Sequence, residues 1–154
     1  MMAAQHPDVR AWLAVAVGGI AGSELRYSAL VAWPEGHGFP WTTLGINLIG
    51  SFVLAFLTTW WLRRPHIPFW VRAGLGPGVL GSFTTFSSVA IAAVTLGKDQ
   101  LAVAVVYLAV SLVLGLGTAA AGWFLGARVG RRPSASRRGA PTPLDAARGN
   151  GAER

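Results

Sequence analysis

Gly78-Val79-Leu80-Gly81-Ser82-Phe83-Thr84-Thr85-Phe86-Ser87 interrupts a hydrophobic stretch long enough to cross a bilayer. Paired glycines, the neighbouring Pro77 and a cluster of hydroxyls weaken a helix in a medium where each unpaired backbone group costs several kcal/mol. A break of this kind is tolerated where protein or enclosed water satisfies the freed carbonyls and amides, which makes it a pointer to an ion or substrate site. The fold therefore follows from asking what surrounds this run.

The surroundings are a membrane protein. Of 154 residues, 53% are hydrophobic and 12% charged, whereas soluble domains carry about a quarter charged residues. Four apolar segments span 11–33, 43–62, 69–96 and 101–127, each long enough for the ~20 residues of a spanning helix. The first continues through Glu24 and Arg26 and is too long for the apolar core of a secretion signal. Pro34, Gly36, Gly38 and Pro40 make the first connection, Arg63, Arg64, Pro65 and Pro68 the second, and Gly97, Lys98 and Asp99 the third. Short connections make consecutive helices antiparallel neighbours. The expectation is an all-α membrane protein with four transmembrane helices, the third broken, over residues 1–127. A basic tail over 128–154 is too poor in apolar residues to order itself.

Glycines spaced by four, Gly18 with Gly22, Gly74 with Gly78, and Gly122 with Gly126 and Gly130, allow backbones to approach within a bundle or a dimer. The chain has no cysteine, so disulfides and thiolate metal sites are excluded. The net charge of +7 comes from thirteen basic residues, all arginine except Lys98. They gather at the ends of the apolar segments and in the tail, which fits membrane topology better than nucleic-acid binding. With four spans, one side carries Arg10, Arg63, Arg64, Arg72, Arg128, Arg131, Arg132, Arg137 and Arg138, and the other carries Lys98. The positive-inside rule then predicts a multi-pass protein of the cell (inner or plasma) membrane with both termini cytoplasmic.

Chemistry-bearing residues are few. Intramembrane charges are expensive and functional by default; Glu24 and Arg26, two residues apart, occupy different helix faces, so that Glu24 is expected to reach a vestibule or the interface while Arg26 turns into the bundle as a structural or vestibule residue. Both could equally form structural ion pairs. Thr43, Asn47 and Ser51 repeat every four residues on one face, so the Asn47 amide either helps dehydrate an anion or makes an interhelical hydrogen bond of ~1 kcal/mol. Thr84, Thr85, Ser87 and Ser88 place four hydroxyls at the break beside Phe83 and Phe86. Freed carbonyls there can hold a dehydrated cation, while hydroxyls and the positive edges of phenyl rings can face an anion. Tyr107, Ser111 and Gly115 share a face of the fourth segment. His6, His37 and His66 lack metal-ligand spacing, and paired catalytic carboxylates, a nucleophile elbow and phosphate loops are absent from the sequence. No enzyme is expected.

These motifs, in this order, resemble the CrcB/Fluc family of fluoride channels: Gly18-Gly19 to Gly22 with Arg26-Tyr27, then Thr43-Leu44 to Asn47 with Gly50-Ser51-Phe52, then Gly78 and Gly81 with Thr84-Thr85-Phe86-Ser87. The resemblance covers nearly everything before the tail. It implies an antiparallel dimer of four-helix subunits with two narrow pores, exporting cytoplasmic fluoride by passive diffusion and so lowering intracellular fluoride. It also implies a structural sodium ion, not transported, at the dimer centre, held by the backbone carbonyls of Gly81 and Thr84. Asn47, Phe86, Tyr107 and Ser111 then match pore-lining positions, with Thr85 and Ser87 beside them. Arg26 matches the first-helix basic residue, and Thr43 falls in the second-helix motif.

Two positions depart from the family pattern. Val89 stands where a second phenyl ring is usual, and Gly115 where a hydroxyl is common one turn beyond Ser111. Together with the one-sided charge, this raises pairing with a related, oppositely inserted subunit as an alternative to a homodimer, within a lipid bilayer and with no nucleic acid as partner. Two other functions remain open from the residues alone: a small drug or cation exporter built on Glu24, and a non-conducting accessory membrane subunit.

Overall fold

The computed structural model describes residues 8–36 and 38–130. Residues 131–154 of the basic tail, His6, His37 and the side chain of Lys98 lie outside the described part. The described chain is helical: α1 Val9–Ala32, α2 Trp41–Leu62, α3 Phe69–Ala73, a π-helical segment Gly74–Leu80, α4 Gly81–Phe83, α5 Phe86–Asp99 and α6 Leu101–Val129. The segments read from sequence match these helices to within three residues at each end, because the apolar runs are bounded by Pro, Gly and charge.

Among the described residues, three helical stretches are long and apolar enough to cross a membrane: Trp41–Leu62, Phe69–Gly97 and Leu101–Val129. Helix α1 has 24 residues, about 36 Å at 1.5 Å per residue, but Glu24 and Arg26 make it less apolar than the other three. Those two charges diverge as their spacing demands: Glu24 is exposed on the outer face of α1, and Arg26 is half-buried.

Two glycine seams hold the bundle together. Along the first, α1 lies against α3 and the π segment so closely that a methyl group on Gly18 would strike the Gly74 carbonyl oxygen, and one on Gly22 the Val79 carbonyl oxygen. From the other side, a methyl on Gly78 would come within 3.1 Å of the Val15 carbonyl oxygen. Along the second seam α2 packs on α6, where Gly122 faces the carbonyl of Phe52 and Gly126 that of Phe56. In a bilayer the lipid tails are as apolar as the side chains, so close van der Waals packing of this kind supplies the association energy. Helix α5 closes the bundle by packing on α6.

The interruption of the third span is narrower than its glycine content implies. Gly74–Leu80, including Pro77, stays helical in the wider π register. Proline lacks an N–H and its ring crowds the carbonyl four residues earlier, so an expanded turn accommodates it. The backbone leaves the helix only at Thr84 (φ −76°, ψ 153°) and Thr85 (φ −147°, ψ 120°). The glycines serve the seam with α1, and the threonines make the break.

Candidate functional site

At the break every exposed backbone group must find a partner, and one side chain from α2 supplies two. Asn47 Nδ2 donates to the Thr85 carbonyl at 3.0 Å, and Asn47 Oδ1 accepts from the Thr85 N–H at 2.8 Å. The bond to the Thr85 N–H replaces a helix bond lost where the chain turns extended, and the bond to the Thr85 carbonyl adds a second donor to the N-cap oxygen of α5. Thr85 then starts the next helix: its Oγ1 accepts from the Ser88 N–H at 3.1 Å, an N-cap bond that satisfies an orphan first-turn donor. The same hydroxyl lies 3.0 Å from Ser87 Oγ and donates to Ser88 Oγ at 3.2 Å. Thr84 closes the preceding turn, with its N–H and Oγ1 both donating to the Leu80 carbonyl. Gly50 of α2 makes room for it, since a methyl group there would strike Thr84 Cγ2.

This bonding leaves a defined pair of acceptors. In a continuous α-helix the Thr85 N–H would serve the Gly81 carbonyl and the Ser88 N–H the Thr84 carbonyl. Here the Asn47 carbonyl oxygen and the Thr85 hydroxyl take those donors. The carbonyls of Gly81 and Thr84 are thereby released from their i+4 partners, and hard carbonyl oxygens suit an alkali cation.

A second polar group lies on α6. Tyr107 is fully buried, and the Phe39 ring meets it edge-on with centroids 5.2 Å apart. Its hydroxyl and that of Ser111, one turn on, are both buried; they lie near one another, but neither makes a well-formed hydrogen bond among the described residues. Leaving a donor buried and unmade costs ~1–3 kcal/mol. Two such hydroxyls in one row can turn to one another or to a small ligand.

The structure sorts the remaining sequence candidates. Phe86, the first residue of α5, is 84% exposed among the described residues. Ser87 is exposed beside it, Val89 is half-buried, and Thr43 is buried at 2% exposure. Arg26 makes no hydrogen bond to another described residue. Phe83, flanking the break, packs against Gly50 of α2. Asn47, Thr84, Thr85, Ser87 and Ser88 are brought together; Tyr107 and Ser111 form a separate row; Glu24 belongs to neither.

One feature was not legible in the sequence. Glu35, read only as part of a Pro/Gly connection, accepts from the Thr43 N–H in the first turn of α2 at 2.7 Å. It also lines a half-open cavity of about 480 Å³ together with Leu30, Thr43, Ser88, Thr95 and Gln100. Ser88 links this cavity to the hydroxyl cluster at the break. A pairing eight residues apart across an irregular connection leaves no periodic signal.

A broken third span pinned by an asparagine, beside a row of unpaired hydroxyls, is the setting in which the comparisons with known proteins are informative. The family model described as "CrcB-like protein, Camphor Resistance (CrcB)" matches residues 13–123, the span that contains every element of the site. The chain belongs to the CrcB family. Among its relatives is the fluoride-specific ion channel FluC 2 of Halalkalibacterium halodurans, 37% identical over 124 residues, covering 80% of this chain and 91% of the relative. The fluoride-specific ion channel FluC of Agrobacterium fabrum is 40% identical over 116 residues, 73% of this chain and 92% of its own. FluC 2 of Geobacillus kaustophilus is 38% identical over 115 residues, 73% and 89%. This CrcB-family chain is thus a multi-pass membrane protein of an ion-channel family and not an enzyme.

Proposed function

We propose that this chain is a fluoride-selective channel, or one subunit of such a channel, passing cytoplasmic fluoride outward down its gradient. The observation that carries the reading is the pair of buried, unpaired hydroxyls of Tyr107 and Ser111, in a chain whose relatives are named for fluoride specificity. Fluoride is small and strongly hydrated, so its path must replace water with closely spaced donors without a fixed positive charge that would trap the ion. Tyr107 and Ser111 offer O–H donors, Ser87 an exposed hydroxyl and Phe86 a ring edge. Asn47 holds the break through one amide hydrogen and keeps the second for the ion.

In this reading four spans place both termini in the cytoplasm, as the basic residues of the second connection and the C-terminus require. The working unit is an antiparallel dimer, because the exposed Phe86 ring needs a second subunit to wall its side of the pore. A homodimer must insert in both orientations; a heterodimer with a related subunit of opposite bias suits the one-sided charge of this chain. The Gly81 and Thr84 carbonyls would hold a structural sodium ion at the dimer centre, where its positive charge favours an anion nearby. An exporter built on Glu24 is the less favoured reading, since Glu24 stands exposed on α1 and takes no part in the hydrogen-bonded cluster at the break.

The test is fluoride efflux from liposomes, with chloride as the control, for the chain alone and mixed with an oppositely oriented relative. Fluoride-selective efflux in either preparation supports the reading. Equal chloride efflux, or none of either ion in both, refutes it.

A further inference from the structure

The polar cavity beside the break has a carboxylate at its mouth. Glu35 Oε1 sits 2.7 Å from the Thr43 N–H, within the first turn of α2, where unsatisfied amides and the helix dipole favour negative charge. A free anion entering from this side would meet the same amide. Glu35 is the one charged residue among the described groups that line the cavity; Thr43, Ser88, Thr95 and Gln100 are neutral. The cavity leads through Ser88 to Thr85 and the Asn47 pair. Low-dielectric walls around a lined cleft strengthen the field of a single charge inside it.

We propose that Glu35 is a tethered anion at the mouth of the conduction path. It occupies the α2 amide that would otherwise detain a passing halide, and its charge lowers the local anion concentration at that mouth. It is a residue that limits anion entry rather than one that binds the ion in the pore. The proposal rests on the fluoride-channel reading for its effect on flux, but not for its effect on anions at the mouth.

Two variants separate charge from bonding. Glu35→Gln keeps an oxygen to accept from Thr43 and removes the charge; Glu35→Ala removes both. In liposomes at ~10 mM ionic strength, Glu35→Gln is expected to raise fluoride efflux about two- to fivefold, shrinking toward unity near 1 M salt as the Debye length falls to ~3 Å. Glu35→Ala is expected to match that gain and add inhibition of fluoride efflux by chloride, through the vacated amide. A second readout needs no conduction: iodide quenching of tryptophan fluorescence in the detergent-solubilised full chain, with Trp33 and Trp41 exposed on either side of Glu35. Glu35→Gln should increase quenching by iodide at low salt and leave quenching by neutral acrylamide unchanged.

Iodide quenching that does not respond to Glu35→Gln overturns the proposal. So does increased quenching with an unaltered efflux rate in a conducting channel, which would put the charge off the ion's route. If the wild-type chain conducts no fluoride in any pairing, the channel reading fails separately, and the quenching result alone decides whether Glu35 repels anions from the cavity.

Discussion

The polar groups at the break and those on α6 differ in one respect: the first set satisfy one another and the second do not. Asn47, Thr85, Ser87 and Ser88 form a connected cluster in which the bonds to the Thr85 and Ser88 N–H groups replace ones that the interrupted helix gave up. Tyr107 and Ser111 are equally sheltered, yet among the described residues neither hydroxyl makes a well-formed hydrogen bond. The contrast teaches that polarity inside a membrane protein has two uses. A completed network is architecture, and the cost of breaking it appears as instability. An uncompleted row stores unmet hydrogen bonds that only a ligand can make, and the cost of removing it appears as lost function.

The sharpest way to break that distinction is at the seams that hold both regions in place. Gly22→Val and Gly122→Val force a side chain into the Val79 and Phe52 carbonyls, and each is expected to abolish the folded bundle, read as aggregation in size-exclusion chromatography. Asn47→Ala should be next. It strips the Thr85 N–H of its partner and the Thr85 carbonyl of a second donor, costing ~1–3 kcal/mol for one unsatisfied group, with a lowered unfolding midpoint and loss of most fluoride efflux.

Tyr107→Phe is expected to behave in the opposite manner. It deletes a hydroxyl that makes no bond in the protein, so stability should hold or rise by ~1 kcal/mol while fluoride efflux falls about tenfold, one hydrogen bond to an ion. A Tyr107→Phe variant as unstable as Asn47→Ala would erase the difference between the two regions. Phe86→Ala tests the same point at the break itself: with the ring 84% exposed, the subunit should fold normally and conduct poorly. The smallest effect is expected from Gly115→Ser. A Cβ there meets nothing within 4 Å, so the fold should be unchanged, and the added hydroxyl should leave efflux equal or raise it about twofold by extending the donor row.

How much of this was readable beforehand depends on whether a feature is local. The four apolar segments and their ends were legible because bilayer thickness imposes a length and Pro, Gly and Arg punctuate it. The glycine spacings correctly marked both seams. The location of the break was read too broadly: Gly78 and Pro77 look like helix breakers, yet they remain helical in a π turn, which accommodates the proline ring while Gly78 lies close against Val15 and Gly18 of α1. Asn47 illustrates the other limit. Its sequence signature, a lone amide among apolar residues, fitted either an anion ligand or a helix bond, and did not reveal the partner 38 residues away that it bonds at the break.

The sequence by itself determined that this is a helical membrane protein with an interrupted third span and a short list of polar residues, since hydrophobic length, breaker residues and scarcity of charge are properties of consecutive positions. Only the tertiary structure decided which of those polar residues bond to one another and which are left over. That division depends on the distances between α2, α5 and α6, set by two glycine seams that bring backbones close enough for Asn47 to reach Thr85 and leave Tyr107 and Ser111 without a well-formed bond to another helix among the described residues.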